Sequence, residues 1–227
     1  MIATMVGPDP ELVGIGHFRR AGGDVGFEIG WPEFGRDTVW ARRLLEVWAV
    51  GAAEHAVLTI RNSEGPWLTP LVHAMRDVGV VFSNAEPFAW DSRRVAALMR
   101  LLSVKAVVGL PGETAEVLLA DDDTRSLLAA VPVIWARPDA VEQLRGAGLE
   151  PAEMAMLGPA LALSCPERTG LHLDPGEWHL TAGVAGPALT VVGDRRFSGR
   201  DIELNIDGTI DEKPCACGLP GPRIRTE

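Results

Sequence analysis

Tyrosine is absent from this 227-residue chain, and cysteine occurs only three times. Long apolar runs are also missing, because no stretch reaches the ~18 uncharged apolar residues that a membrane-spanning helix needs. Residues 1–5 carry no basic side chain, so the sequence predicts no secretory signal peptide. These absences predict a cytoplasmic protein with no membrane partner. The cytosol also keeps cysteine thiols reduced and available for metal.

Acidic residues outnumber basic residues in this sequence. The chain has 21 Lys and Arg against 31 Asp and Glu, which gives a formal net charge of −10 and a pI near 5.0. An acidic protein is repelled by a phosphate backbone and by an anionic bilayer, so we expect no nucleic-acid partner. Hydrophobic residues make up 47% of the chain, which is typical of a globular protein with a substantial core.

All three cysteines lie in two short segments, one of which also contains a histidine. Cys165 and His172 form a Cys-x6-His pair, and Cys215 and Cys217 form a Cys-x-Cys pair. Three thiolates and one imidazole are a complete tetrahedral ligand set for Zn²⁺, and each short spacing lets a pair bind from a single turn. Four protein ligands leave no open position for water, so the sequence predicts a structural zinc ion.

Two other interpretations of the cysteines stay open. A disulfide between Cys215 and Cys217 would close a small strained ring and leave Cys165 without a partner. Alternatively, the three residues are unrelated small apolar side chains of the core.

Between residues 37 and 150 the sequence alternates between two patterns. Apolar runs predict strands at residues 56–60, 79–83, 104–110 and 133–135. Amphipathic spacing predicts helices at residues 67–78 and 138–145, and others that begin at Asp37, Asp91, Pro111 and Asp121. This alternation predicts a parallel sheet with helices on both faces. Residues 1–36 are rich in glycine and proline, and residues 19–26 predict a flexible turn.

After about residue 150 the helical pattern fades. Strands are predicted at residues 154–164, 177–181, 188–192 and 202–206, with a hairpin turn at Asp207 and Gly208. The predicted fold class is therefore α/β, with a parallel-sheet subdomain over residues 1–150 and a β-rich, zinc-stapled subdomain over residues 151–227. The zinc would tie the beginning of the second subdomain to its end, within one compact unit.

Several polar side chains follow the first predicted strand, at the end of a parallel sheet where ligands bind. Glu64 and His73 could form an acid–base pair if they converge. Asn62 and Trp67 are candidate substrate contacts. The alternative interpretation is that all four are ordinary loop and helix-face residues. A Ser-His-Asp order and a Gly-x-Ser-x-Gly elbow are both absent from the sequence.

The two cysteine segments resemble those of phenylacetate–coenzyme A ligases, members of the acyl-adenylate-forming (ANL) superfamily. Those enzymes have a Cys-x6-His segment that ends in Gly-Leu-His and precedes an acidic stretch, as at residues 165–177. Further along they have Pro-Cys-x-Cys-Gly and then Pro-Arg-Ile, as at residues 214–218 and 222–224. The resemblance implies a structural zinc on Cys165, His172, Cys215 and Cys217. His179 is an alternative ligand at a spacing unlike that of the family.

The resemblance is weakest where the family binds ATP. The family's phosphate loop would fall at residues 21–26, which contain no Ser, Thr or Lys. Its aromatic-Gly-x-Thr/Ser-Glu element, which binds adenine and magnesium, would fall at residues 151–157, which contain no aromatic or hydroxyl residue. Asp201 matches the family's ribose-binding aspartate. The sequence ends where the family's hinge to its lysine-bearing C-terminal domain would begin, and an N-terminal portion is also missing.

Adenylation needs magnesium and cationic groups around the transferring phosphoryl group. The sequence therefore predicts a truncated, adenylation-incompetent ligase-like protein that does not use ATP. It would bind or transform a small carboxylate, acyl or aryl compound in a biosynthetic pathway. The alternative is a non-catalytic, zinc-containing subunit, because exposed apolar surface would favour a homodimer or another protein partner. A weaker alternative is an acid–CoA ligase that another chain completes in trans.

Overall fold

The structure, a computed structural model, describes residues 9–20, 22–184, 186–204 and 206–226. Residues 1–5, Ala21 at the predicted phosphate-loop position and Asn205 in the predicted strand at 202–206 lie outside the described residues. The strands are β1 Leu12–Arg20, β2 Gly23–Gly30, β3 His55–Thr59, β4 Val81–Ala85, β5 Val104–Leu110, β6 Val133–Ala136, β7 Ala152–Leu157, β8 Ala160–Ser164, β9 Leu171–His172, β10 Trp178–Ala182, β11 Pro187–Val191, β12 Ile202–Glu203, β13 Gly208–Asp211 and β14 Arg223–Thr226. The helices are α1 Trp31–Val47, α2 Gly65–Asp77, α3 Ser92–Leu101, α4 Gly112–Leu119, α5 Asp122–Ala129 and α6 Pro138–Gly146, with 3-10 turns at Asn62–Glu64 and Ala89–Asp91.

A nine-stranded sheet with the order β13-β14-β9-β8-β7-β6-β5-β3-β4 forms the centre of the molecule. Its strands from β4 to β7 pair in parallel. The central strands β5 and β6 of this half are mostly apolar, because helices cover both of their faces. The predicted parallel sheet is confirmed for this half.

The other half of the same sheet is antiparallel, from β7 through β8, β9 and β14 to β13. Trp135 of β6 pairs with Ala152 of β7, so the sheet runs without interruption past residue 150. The fold is therefore a mixed α/β fold with one large mixed sheet. A separate antiparallel sheet, β10-β11-β12, packs beside it.

Helices cover the two faces of the parallel half. On one face, α1 and α2 pack against Leu58 and Val108. On the other face, α3, α4, α5 and α6 pack against Val57 and Val107. Alternate residues of β3 and β5 thus serve two separate cores, as the period of a strand requires. Within the described ranges, no helix has the length and apolarity needed to cross a bilayer.

The glycine-rich segment before α1 differs from its prediction. Residues 12–20 and 23–30 form an antiparallel hairpin, β1–β2, with a register shift between Leu12 and Gly14. Helix α1 begins at Trp31, about 1.7 turns before the predicted cap at Asp37. Pro32 lies in the first turn of α1, where proline is favoured. Position 16 accommodates only glycine, because a Cβ there would lie 2.3 Å from the ring of Phe27. The flexible turn predicted from the glycines is therefore wrong for most of this segment.

Two predictions in the second half also need correction. Residues 154–164 form two strands, β7 and β8, because Gly158 adopts a left-handed φ of 58° and turns the chain. Asp207 and Gly208 do not join a hairpin, since β12 pairs with β11 and β13 pairs with β14. The Asp-Gly sequence predicts a turn from two residues alone, whereas the pairing of the flanking strands depends on the rest of the sheet.

Candidate functional site

The four predicted metal ligands come together at the antiparallel half of the sheet. Cys165 follows β8, His172 ends β9, and Cys215 and Cys217 lie in the turn that precedes β14. Their ligand atoms all lie within 4.8 Å of one another. The Sγ atoms of Cys165 and Cys215 are 3.6 Å apart, and Cys217 Sγ lies 3.7 Å from His172 Nε2.

These distances can be compared with a zinc site and with a disulfide. In a tetrahedron with Zn–S bonds of about 2.3 Å, neighbouring sulfurs are about 3.8 Å apart. A disulfide would bring two sulfurs to about 2.05 Å. All three cysteines are free thiols in the structure, and Cys165 and Cys215 are buried. The donor set therefore fits a tetrahedral Zn²⁺ ion and leaves the Cys215–Cys217 disulfide without support.

Backbone geometry explains why distant segments meet here. Leu171 and His172 of β9 pair with Ile224 and Arg223 of β14, which brings the two ligand segments side by side. Gly170 has a φ of 141°, and a Cβ there would lie 2.7 Å from the Ile224 carbonyl oxygen. Only glycine allows β9 to approach β14 so closely.

The electrostatics of the cluster suit a cation. Burial raises the pKa of the Cys165 thiol to about 12. Burial, with a contribution from the charge of Arg223, lowers the pKa of His172 to about 4, so its imidazole is neutral and able to bind metal. Burial alone would raise the pKa of Cys215, but hydrogen bonds from the Cys217 backbone and neighbouring thiols lower it to about 7. A divalent cation would supply the positive charge that three crowded thiolates require.

A buried ion pair lies at the carboxyl end of the parallel strands. The Arg137 guanidinium donates to both carboxylate oxygens of Glu64, at 2.5 and 2.7 Å. It also donates to the carbonyl oxygens of Gly109 at 2.9 Å and Thr59 at 3.3 Å. Burial would raise the pKa of Glu64, but the hydrogen bonds from Arg137 and the Arg61 backbone lower it. Glu64 is therefore an ionised partner of Arg137.

A cleft, which we call the hairpin cleft, lies between β1 and this edge of the sheet. It has a volume of about 500 Å³. Phe18, Trp67 and Met156 contribute apolar lining, and His17, Ser63 and Glu64 contribute polar groups. Trp67 Nε1 donates to the Gly158 carbonyl at 2.9 Å, which fixes the indole against the ring of Phe27. The size and the mixed lining are those of a small-molecule site.

The other predicted site residues are placed in different surroundings. Asn62 lines a smaller adjoining cavity of about 280 Å³. The His73 ring packs edge-on against Phe34 at 4.9 Å, and the described residues contain no hydrogen bond between His73 and Glu64. Asp201 is exposed, with a left-handed φ of 46°, and its backbone N–H donates to Thr190. The structure thus brings Asn62, Glu64 and Trp67 to one region and leaves His73 and Asp201 apart from the cleft lining.

The segments expected to bind ATP in the family show other contacts. Arg19 and Asp24 form an ion pair across the β1–β2 turn, at 3.2 Å. Residues 152–157 form β7, in which the Glu153 carboxylate accepts from Arg145 at 2.9 Å and from Thr226. The carboxylate of Glu153 is therefore satisfied by protein groups.

A buried charge cluster was not predicted from the sequence. Arg195 donates to Asp37 at 2.7 and 2.8 Å and to Glu177 at 2.7 Å, and Arg36 donates to Glu177 at 2.6 Å. The Arg195 side chain is 3% exposed and Glu177 5%. The sequence carries little sign of this cluster, because Asp37, a partner of Arg195, lies 158 residues away. The cluster fastens α1 to the β10–β12 sheet.

No model of a known protein family matches the sequence, and no curated protein matches it. Solved structures do match the fold. An open conformation of 2-hydroxyisobutyryl-CoA ligase, in complex with 2-HIB-AMP and CoA, superposes with a TM-score of 0.71 at 13% identity, over 96% of this chain and 57% of that one. ATP-bound MatB from Rhodopseudomonas palustris gives 0.58 at 12% identity, over 93% and 47%. An acyl-CoA synthetase (AMP-forming)/AMP-acid ligase II-like protein from Dyadobacter fermentans gives 0.55 at 10% identity, over 93% and 59%.

The fold is therefore that of these AMP-forming acyl-CoA ligases, in agreement with the fold that the resemblance to the ANL superfamily implies. The chain spans about half the length of these matched ligases. At these identities the match establishes the fold, and the activity has to be argued from the residues of this chain.

Proposed function

We propose that the protein is a zinc-stabilised relative of the acyl-CoA ligases that binds a small carboxylic acid or its acyl derivative without adenylating it. The observation that carries this proposal is the hairpin cleft, which lies at the carboxyl end of the parallel strands, where α/β folds bind ligands. Its apolar lining suits an acyl or aryl group. The matched structures include ligases in complex with an acyl adenylate and CoA, which supports a ligand of the same chemistry.

The independence from ATP rests on the polar groups around the cleft. Glu64 is held by Arg137, and Glu153 by Arg145 and Thr226, so both carboxylates have protein partners in place of magnesium. At the β1–β2 turn the Asp24 carboxylate pairs with Arg19, so the charge of this arginine is less available to a phosphate. These groups disfavour a nucleotide triphosphate and leave the apolar part of the cleft for the ligand.

The zinc ion in this proposal has a structural role. Cys165, His172, Cys215 and Cys217 would hold it, and their four donors complete its coordination. When bound, the ion would neutralise the thiolates and fix the turn before β14 to β9. The proposal also keeps a parallel-sheet subdomain over residues 1–150 and a β-rich subdomain over residues 151–227, whose beginning and end the ion would tie together, in a cytoplasmic protein.

Replacing Trp67 tests the cleft. We expect isothermal titration to show saturable binding of phenylacetate or phenylacetyl-CoA to the native protein. Trp67→Phe should weaken that binding about tenfold, because it removes part of the apolar lining and the hydrogen bond to Gly158. Trp90→Phe is the matched control, since Trp90 is 69% exposed and lies outside the cleft lining, and it should leave the affinity unchanged.

Two results would count against the proposal. Exchange of pyrophosphate into ATP in the presence of a carboxylic acid would show that adenylation takes place. Failure of every carboxylic acid and acyl thioester tested, together with native mass spectra free of any small ligand, would remove the small-molecule role. Circular dichroism of both tryptophan variants would show whether each has folded.

A non-catalytic interaction subunit is the second candidate. Several large apolar side chains are exposed among the described residues, including Trp90 at 69% and Leu101 at 80%. If such side chains form one contiguous patch, that patch would favour association with another protein surface. Native mass spectrometry of the purified protein separates the two candidates. A bound acid or thioester supports the small-molecule role, and a zinc-loaded oligomer with no small molecule bound supports the interaction subunit.

A further inference from the structure

Strand β4 ends the nine-stranded sheet with an open edge. Within the described ranges β4 pairs with β3 on one side and with no strand on the other. Its sequence, Val81 to Ala85, contains no charged residue and no proline. Natural edge strands usually carry such residues, or a bulge, to prevent pairing with another chain. Val81 is 55% exposed on this strand.

The backbone groups available at this edge can be identified from the pairing with β3. The Val81 N–H donates to the Glu54 carbonyl at 2.9 Å, so Val81 points its backbone groups toward β3. Because successive residues alternate, Phe82 and Asn84 direct their N–H and C=O groups to the open side. Among the described side chains, only Arg94 reaches the Asn84 carbonyl, at 3.5 Å.

These groups are complementary to themselves under a two-fold rotation. With the axis normal to the sheet and midway between the Ser83 residues of the two copies, Phe82 of one copy lies opposite Asn84 of the other. The two residues then exchange N–H···O bonds twice, giving about four hydrogen bonds across the junction. Val81 lies opposite Ala85, which covers its exposed side chain. The contact is closed, because each copy uses the same patch.

Charges at the two ends of β4 have the same symmetry. The Arg76 guanidinium lies over the Phe82 ring at 5.3 Å. Glu86 directly follows β4, and alternation places it on the same face as Phe82. Neither Arg76 nor Glu86 has a side-chain ion pair in the described part of the chain. The two-fold arrangement brings Arg76 of each copy within reach of Glu86 of the other, because diagonal neighbours across paired strands lie about 7–8 Å apart.

We propose that a second copy of this chain binds the open edge of β4 in antiparallel orientation, forming a two-fold dimer with one continuous sheet. The proposal concerns a face remote from the lining of the hairpin cleft and does not depend on the ligand.

Charge exchange between Arg76 and Glu86 tests the pairing. Analytical ultracentrifugation of the native chain from about 1 to about 200 µM should show a monomer–dimer equilibrium. Arg76→Glu and Glu86→Arg should each raise the dimer dissociation constant about tenfold or more, because each places like charges together twice. An equimolar mixture of the two variants should form a heterodimer of native affinity, since both contacts become attractive again.

Matched controls carry the same charge changes elsewhere. Arg200→Glu and Glu116→Arg lie on exposed positions away from β4 and should leave dimerisation unchanged. Asn84→Pro removes an outward N–H and should also abolish the dimer. A native chain that stays monomeric at the highest concentration, or a dimer that the edge variants do not affect, would overturn the proposal.

Discussion

Removing zinc from the purified protein should lower its melting temperature by at least about 10 °C. Structural zinc sites contribute strongly to the free energy of folding. In a domain of this size, the melting temperature falls by about 2–4 °C for each kcal/mol of stability that is lost. We expect a large loss because the ion would join β9 to the turn before β14, and without it three thiols and a neutral imidazole are crowded together. Chelation followed by elemental analysis and calorimetry measures both the metal content and the shift.

Histidine variants identify the fourth ligand in the same experiment. His172→Gln should reduce zinc to well below one ion per chain, because a neutral amide is a poor zinc ligand. His179→Gln should retain one ion, since His179 is exposed and does not belong to the cluster. Native protein that contains no zinc after growth with added zinc, or that keeps its melting temperature once the ion is removed, would contradict the site.

Replacing Arg195 by Met should destabilise the protein by about 3–5 kcal/mol, which is the usual result of leaving a buried charge without its partner. Asp37 would lose both of its hydrogen bonds to Arg195, whereas Glu177 would keep Arg36. Methionine preserves much of the apolar contact between the Arg195 side chain and the Trp178 ring. The loss of unfolding free energy therefore reports mainly the loss of the positive charge. Urea unfolding measured by circular dichroism gives the difference.

The adjacent Arg196 provides the control for Arg195. Its side chain is 26% exposed and pairs with exposed acids, so Arg196→Met should cost less than about 1 kcal/mol. A second substitution, Asp37→Leu in the Arg195→Met background, should restore much of the stability, because it removes the unpaired charge. If Arg195→Met and Arg196→Met lower the free energy of unfolding equally, the buried charge cluster does not stabilise the fold more than a surface ion pair does.

The Arg195 variant should also have a distinctive pH dependence. Burial is the main cause that raises the pKa of Asp37, and Arg195 opposes it in the native protein. Without Arg195 the raised pKa makes protonation of Asp37 favourable, and the folded state then binds more protons than the unfolded state. The stability of the variant relative to the native chain should therefore improve as the pH falls through the range where Asp37 is protonated.

The clustering of Cys165, His172, Cys215 and Cys217 could be predicted because the signal of each pair is local. Cys-x6-His and Cys-x-Cys are short spacings that need no knowledge of the fold, and only three cysteines had to be assigned. Buried parallel strands such as β5 were also predicted correctly, since a short apolar run bounded by turns is typical of a strand that is covered on both faces. The rule that ligands bind at the carboxyl ends of parallel strands singled out Asn62, Glu64 and Trp67, and their role in binding stays a prediction.

The remaining features depend on contacts that a linear pattern does not contain. Gly16 of β1 leaves room for the Phe27 ring, yet in the sequence the glycines around it resemble a loop. Arg137 follows a strand as an ordinary surface arginine would, and only the convergence of β3 and β5 makes it the partner of Glu64. In the sequence Asp37 resembles a helix cap, because Arg195, with which it forms hydrogen bonds in the fold, is 158 residues away.

The position of β14 between β9 and β13 has a consequence for how fast the protein folds. Cys165 and Cys215 are separated by 50 residues, and β13, β14 and the β10–β12 sheet all belong to or follow the loop between them. Closing so long a loop costs conformational entropy before any contact compensates for it, so this half of the sheet should assemble after the local βαβ units. Until then β9 presents an unpaired edge beside reactive thiols. A metal ion captured early by one cysteine segment would shorten that search and limit the time in which nascent chains can aggregate.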